Sequence, residues 1–96
     1  MQIDMWEDYG YIMASKYRKF VLLALLDHPK TPKEIAKETR LNISHVSRAL
    51  REMHNKAIVK CMTPNRLKGR VYCLTNKGIH IAKIIKGNES YLNSVS

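Results

Sequence analysis

The sequence predicts a mainly α-helical domain with one small β-hairpin. Its 96 residues suffice for a single domain. Apolar residues recur at helical spacing along most of the chain, and two short apolar runs flank a turn-rich loop. Apolar residues make up 45% and charged residues 26% of the composition, which favours a folded globular domain over a disordered chain.

The first predicted helix covers residues 16–27. Ser15 can cap its N-terminus, and Pro29 disfavours helical geometry at the residue before it. Its apolar residues cover most of the helix surface, so we expect it to be buried on several sides. Residues 1–15 are rich in Met, Trp and Tyr without a clear period. They predict an N-terminal apolar arm or a short helix.

Two further helices are predicted on either side of a tight turn. Thr31 and Glu34 form a capping-box pattern, with Pro32 at the first helical position, and this predicts a short helix over residues 32–39. After the connection 40–43, we expect Ser44 to cap a helix over residues 44–56. The inner stripe of that helix has the spacing i, i+3, i+4, i+7 and consists of Val46, Ala49, Leu50 and Met53.

The C-terminal half predicts the hairpin and a last helix. Strands are expected over 58–62 and 70–74, and Thr75 is expected to cap a helix over 75–86. The polar tail 87–96 is expected to fray. The main domain would therefore cover residues 16–86, between the arm 1–15 and this tail.

Charge is unevenly placed along the chain. Lys and Arg number 17 against 8 Asp and Glu, a formal net charge of +9. Residues 1–15 hold three acids and no Lys or Arg, so all 17 bases lie in the rest of the chain. Positive charge peaks in residues 44–70, which hold seven bases and one acid, Glu52. This pattern indicates a polyanionic partner, and the alternative is an ordinary solvated basic surface.

Two helices joined by a short turn form a helix-turn-helix, whose second helix fits the major groove of duplex DNA. The polar outer face of 44–56 supplies the candidate contacts, which are Ser44, His45, Ser47, Arg48, Arg51 and Asn55. Arg48 and Arg51 are the candidates for reading bases, because an arginine can donate two parallel hydrogen bonds to guanine. The alternative is that both contact only phosphates.

The loop between the strands is a second candidate DNA contact. It carries Asn65, Arg66, Lys68 and Arg70, which could reach the minor groove or phosphates, or could form only a solvated turn. Further phosphate contacts are expected from Thr31, Lys33 and Arg40.

Residues 15–78 resemble a known protein family. The segments TPKEIAKE, ISHVSRALREM and GRVYCLTNKG are similar to the small winged helix-turn-helix transcription regulators of the MarR/ArsR-like group, most closely the short archaeal-type members. The resemblance implies DNA binding by 44–56, a wing at 63–70 and a homodimer. It also implies that Ser44, His45, Ser47 and Arg48 lie at the DNA face.

The sequence departs from that family pattern at two positions. Arg40 and Ala57 stand where glycine is common. Such positions usually need a left-handed backbone, which costs a residue other than glycine about 1 kcal/mol or more. This leaves open a reshaped turn and shifted helix ends at both positions.

A homodimer is also expected from apolar residues that have no obvious cover in one short chain. The arm and the last helix are predicted to meet across a two-fold axis, which would place two recognition helices about one DNA turn apart. The residues concerned are Met5, Trp6, Tyr9, Tyr11, Ile81, Ile84 and Ile85. The alternative is that they close the core of a single chain.

Cys61 and Cys73 lie at equal distances in sequence from Leu67 and could face each other across the hairpin. They can be read as small apolar residues, as a redox-responsive bridge, or as part of a metal site with His45, His54 or His80. No cofactor or metal is expected, because the His and Cys residues do not have the close spacing that is typical of metal ligands.

The scattered carboxylates and the lack of a nucleophile motif argue against an enzyme.

Three further expectations concern location and rival functions. No apolar run approaches the ~20 residues that cross a bilayer, and the acidic N-terminus is unlike a signal peptide, so we expect a cytoplasmic protein without membrane contact. The alternative function is a winged-helix protein-interaction module in a transcription or replication assembly. RNA or single-strand binding usually needs exposed aromatic residues, and 44–70 has none.

Overall fold

The computed structural model describes the backbone of residues 3–95 and the side-chain environments of residues 5–88. It contains five helices and a two-stranded antiparallel sheet in this described part. In chain order these are α1 (Ile3–Met13), α2 (Lys16–Ala24), α3 (Pro32–Thr39), α4 (Ile43–Asn55), β1 (Val59–Cys61), β2 (Tyr72–Leu74) and α5 (Asn76–Val95). The predicted class, mainly helical with one hairpin, is confirmed.

Local hydrogen bonds account for the starts of α2, α3 and α5. Ser15 caps α2 by accepting a hydrogen bond from the Arg18 amide at 3.3 Å. At α3, the complete capping box is present and the bounds match the prediction. Thr75 caps α5 by accepting from the Gly78 amide at 3.2 Å. These three predicted caps are confirmed.

Several predicted element ends are wrong. The N-cap of α4 is Asn42, so Ser44 lies inside the helix rather than at its cap. Helix α2 ends at Ala24, and its last turn continues only as short turns through Leu26. The strands are shorter than predicted. At the loop end, the Val71 amide donates to the Thr63 hydroxyl at 3.0 Å, and at the other end the Ile58 amide donates to the Met53 carbonyl in the turn after α4. The predicted tail is helical through Val95, and Ser96 is outside the described residues.

The hairpin register places the two cysteines apart. Cys61 lies opposite Tyr72, and Cys73 lies opposite Lys60. Because successive residues of a strand point to opposite faces, the side chains of Cys61 and Cys73 lie on opposite faces of the hairpin. The expectation that they could face each other is therefore wrong, and both are free half-buried thiols.

The core lies around α2, which packs against all four other helices. The predicted inner stripe of α4 is buried as expected. Helices α1 and α5 contribute Ile12, Ile81, Ala82 and Ile85, each at most 1% exposed. Part of the apolar surface of the arm and of the last helix is therefore buried in the core of a single chain.

Lys30 joins the helical part of the fold to the hairpin. Its backbone forms a bridge with Tyr72, with N···O distances of 3.0 and 2.9 Å. Its buried ammonium donates to the Ala24 carbonyl and to Asp27 at 2.7 Å, and pairs with Glu38 at 3.1 Å. Burial alone would lower the pKa of Lys30, but the hydrogen bonds to the two carboxylates outweigh it and raise this pKa.

Arg40 and Ala57, which stand where glycine is common in the family, both have a left-handed backbone. Arg40 has φ of 63° and Ala57 has φ of 59°. After α4, the Ile58 amide bonds the Met53 carbonyl and the Ala57 amide bonds the His54 carbonyl, which is a Schellman motif. After α3, the Arg40 amide bonds the Ala36 carbonyl at 2.8 Å. The turns are therefore not reshaped, and the backbone strain is retained.

No helix in the described part of the chain has the length and apolar character that crossing a bilayer requires.

Candidate nucleic-acid interface

Helix α4 has one buried apolar face and one exposed polar face. Val46, Ala49, Leu50 and Met53 are at most 2% exposed. The outer face presents Ser44, Ser47, Arg48, Arg51 and Asn55, all of which are exposed. Neither predicted base-reading arginine is covered by its own chain. The apolar face thus fixes α4 on the core, and the polar face is open to solvent, as a groove-binding helix requires.

Glu52, the one acid in residues 44–70, does not reduce the positive charge of this outer face. Glu52 is half-buried and accepts a hydrogen bond from the Arg18 guanidinium at 3.1 Å. Arg18 also donates to the Tyr11 carbonyl at 2.9 Å, and its guanidinium carbon lies 3.9 Å from the centre of the Tyr11 ring. Glu52 is therefore paired from the side of α2, and the exposed face of α4 stays cationic.

Two predicted contacts at the start of α4 are partly engaged within the chain. The Ser44 hydroxyl donates to the Asn42 side-chain oxygen at 2.9 Å, which also accepts from the Ser44 amide. His45 is half-buried and stacks on Tyr17, with ring centres 4.2 Å apart and planes 8° apart. Tyr17 was not among the predicted site residues, because no sequence pattern pairs it with His45.

The three predicted phosphate contacts differ in how free they are. Lys33 and Arg40 are exposed. Thr31 is occupied in the capping box, since its hydroxyl accepts from the Glu34 amide at 3.2 Å. The Thr31 amide donates to the Glu34 carboxylate at 2.8 Å and lowers the pKa of Glu34.

The wing loop, residues 63–70, is held by its own arginines. Arg70 donates from Nε to the Arg66 carbonyl at 2.6 Å and from Nη2 to the Pro64 carbonyl at 3.5 Å. Arg66 donates to the Gly69 carbonyl at 3.2 Å, and Gly69 has φ of +64°. Asn65, Arg66 and Lys68 are exposed, whereas Arg70 is half-buried and fixes the loop.

Two grooves bring the predicted contacts together. A groove of about 330 Å³ lies between α4 and the hairpin and is lined by Ser47, Arg51, His54, Cys61, Arg70 and Tyr72. A groove of about 600 Å³ lies between the wing and the starts of α3 and α4. It is lined by Thr31, Pro32, Lys33, Ile43, Leu67, Lys68, Gly69, Arg70 and Tyr72. The two grooves share Arg70 and Tyr72, and cations from α3, α4 and the wing line them.

The predicted dimer residues fall into three groups by exposure. Ile81 is fully buried and Ile85 is 1% exposed within one chain, which corrects the expectation that these two need cover from a second subunit. Trp6 is 64% exposed. The remaining residues, Met5, Tyr9, Tyr11 and Ile84, are half-buried.

Among the residues whose side chains are described, no group of three or more His, Cys, Asp or Glu is placed to hold a metal ion. The half-buried Cys61 lies near His54 in the smaller groove, and neither forms part of such a group.

Solved structures show what fold this chain has. A crystal structure described as a MarR family transcription regulator aligns with a TM-score of 0.78 at 18% identity, over 98% of this chain and 64% of that one. Quinone-bound YodB from Bacillus subtilis (B. subtilis) gives 0.74 at 20% identity, over 93% and 94%. The fold is a winged helix-turn-helix.

A third neighbour is ZitR from Lactococcus lactis, described as a zinc-responsive MarR family member. It gives a TM-score of 0.73 at 21% identity, over 84% of this chain, and this chain spans only 57% of its length. ZitR has also been solved in complex with DNA, and that structure gives a TM-score of 0.69 at 21% identity, over 82% and 56%. No protein-family model matches the sequence, and no curated protein matches it significantly.

Proposed function

We propose that this chain binds double-stranded DNA in a sequence-specific way and regulates transcription, most simply by occluding a promoter. The observation that carries the proposal is the exposed polar and cationic face of α4 on an apolar base. The ZitR–DNA complex supports it, because the same fold is there bound to DNA. A protein-docking surface would be apolar at its centre, whereas Arg48 and Arg51 occupy the centre of this face.

The proposed contacts divide into reading and positioning. Arg48 and Arg51 enter the major groove and donate to base edges. Ser47, Lys33 and Arg40 hold phosphates and so fix the position of α4 on the duplex. The wing carries Arg66 and Lys68 to the adjacent minor groove or its phosphates.

We propose that the DNA-binding unit is a homodimer formed through α1 and α5. Trp6 presents a large exposed aromatic surface and packs edge-on against Tyr9, with ring centres 5.8 Å apart. The exposed Glu7 on α1 and the exposed Lys83 and Lys86 on α5 carry opposite charges. Isologous pairing of these two helices would bury the aromatic patch and bring opposite charges together.

The test of DNA binding is selection of genomic fragments with the purified full chain at two salt concentrations. A sequence-specific regulator should enrich a common motif. Affinity should fall by about 10³–10⁵ between ~50 and ~200 mM salt if roughly 6–10 phosphates are neutralised. Recovery of no fragments, or affinity that is insensitive to salt, would contradict the proposal.

The test of the dimer is sedimentation at micromolar concentration. We expect a dimer for the wild type and a shift toward monomer for Trp6→Ala. Met62→Ala is the control, because Met62 is 53% exposed on the hairpin, away from both helices. A monomeric wild type would reject the dimer and leave DNA binding to be judged separately.

A further inference from the structure

Leu67 at the tip of the wing is the most exposed large apolar side chain in the described part of the chain. It is 92% exposed, against 64% for Trp6. A single exposed leucine needs no special explanation on an ordinary surface. Leu67 differs from such a residue because it is flanked by Arg66 and Lys68 at the exposed tip of the wing.

The wing presents Leu67 on a fixed frame. The guanidinium of Arg70 donates to two loop carbonyls, those of Arg66 and Pro64. The guanidinium of Arg66 donates to the Gly69 carbonyl across the tip. The base of the loop is closed by the hydrogen bond from the Val71 amide to Thr63. The backbone of the tip is therefore ordered on folding, so only the side chain of Leu67 is left to be ordered when it enters a partner.

The charges around Leu67 define its partner. The wing contains no Asp or Glu. Across the larger groove, Lys33 adds a further cation. An apolar side chain within a cationic rim fits a surface that is anionic at its edges and apolar within. The minor groove of duplex DNA has this character at a base step that opens, since phosphates line the groove and the opened step exposes the apolar faces of its bases.

We propose that Leu67 inserts between base pairs in the minor groove as an apolar wedge and thereby bends the bound DNA. This inference rests on the proposed function and deepens it. Wedges of this kind partly unstack a base step and kink the duplex by about 20–90°. Pyrimidine–purine steps are the most easily kinked, so Leu67 would select such steps at the position of the wing without a hydrogen bond to any base.

The experiment compares wild type, Leu67→Ala and Leu67→Met on a selected duplex with fluorophores at both ends. Energy transfer measures the end-to-end distance, and a parallel titration measures affinity. We expect the wild type and Leu67→Met to shorten the distance. Leu67→Ala should leave the duplex nearly straight and weaken binding about 10-fold. Because Leu67 is 92% exposed, all three proteins should unfold at the same temperature.

The outcomes separate this inference from the function it rests on. If the wild type enriches no fragment, both the proposed function and the wedge are overturned. If it binds but leaves the duplex straight, or if Leu67→Ala bends and binds the duplex as well as wild type, only the wedge is overturned. A preference for pyrimidine–purine steps that disappears in Leu67→Ala supports the wedge directly.

Discussion

Arg40 and Ala57, the left-handed residues after α3 and α4, allow a change in the free energy of unfolding to be predicted. A left-handed backbone costs a residue other than glycine about 1–2 kcal/mol. Glycine removes that cost but adds about 0.4–1 kcal/mol of entropy to the unfolded chain. The two effects differ by about 0–1.6 kcal/mol, so the change Ala57→Gly should raise the free energy of unfolding by about 0.8 kcal/mol. For a domain of this size the melting temperature should rise by about 2–8 °C.

Thermal and urea unfolding of the purified chain test this value. Ala36→Gly is the control, because Ala36 lies inside α3 with helical geometry and should lose about 1 kcal/mol. Opposite signs for the two alanine-to-glycine changes confirm that the backbone conformation decides the effect. A destabilised Ala57→Gly protein would refute the reasoning, because it would mean that Ala57 is not strained.

Arg40→Gly extends the same test to function. Its strain is also relieved, so the protein should become more stable by a similar amount. The proposed phosphate contact is lost at the same time, so DNA affinity should fall uniformly across sequences and the salt slope should decrease by about 1. Ala57→Gly should leave DNA affinity unchanged. Equal DNA affinity of Arg40→Gly and wild type would remove Arg40 from the interface.

The remaining predictions concern specificity, packing and pH. Arg48→Ala or Arg51→Ala should cost about 1–3 kcal/mol of binding free energy on the selected site and should relax the sequence preference of the protein. Lys68→Ala should weaken binding to all duplexes alike in fluorescence anisotropy titrations. Equal losses on specific and random DNA for both arginine variants would refute base reading. Gly78→Ala should destabilise by about 1–3 kcal/mol in urea unfolding, because its Cβ would lie 2.2 Å from the Ile58 carbonyl oxygen. Gly87→Ala, with open space around it, should not destabilise. The pKa of Glu34 is lowered from 4.5 in the folded state, so its stabilisation is present above that value and is lost as pH falls through the lowered pKa. Glu34→Gln should flatten this acid limb of the stability curve, and an unchanged limb would show that the capping carboxylate is not responsible.

Much of the helical part could be predicted from sequence, because local signals decide it. Thr31, Pro32 and Glu34 together fix the start of α3 through a capping box that needs no tertiary contact. The start of α4 was mispredicted because Asn42 and Ser44 are both good caps. The structure uses the Asn42 side chain, which reaches the Ser44 amide at 2.9 Å.

The hairpin and the details of the site depend on contacts that sequence spacing does not show. The faces of Cys61 and Cys73 follow from the register, and a shift of one residue reverses every face. In a hairpin the register follows the type and length of the turn, and here Arg70 and Thr63 form hydrogen bonds within that loop. The stack of Tyr17 on His45 joins two helices far apart in sequence. The exposure of Leu67 likewise becomes visible only when the loop is folded.

The bridge between Lys30 and Tyr72 has a consequence for how the molecule meets a duplex. It ties the loop-proximal end of β2 to the segment that leads into α3, and the Lys30 ammonium anchors that segment through Asp27 and Glu38. The position of the wing is therefore coupled to that of α3, against which α4 packs. On the proposed function, a duplex that α4 and the wing contact together has to match the distance between them that folding sets.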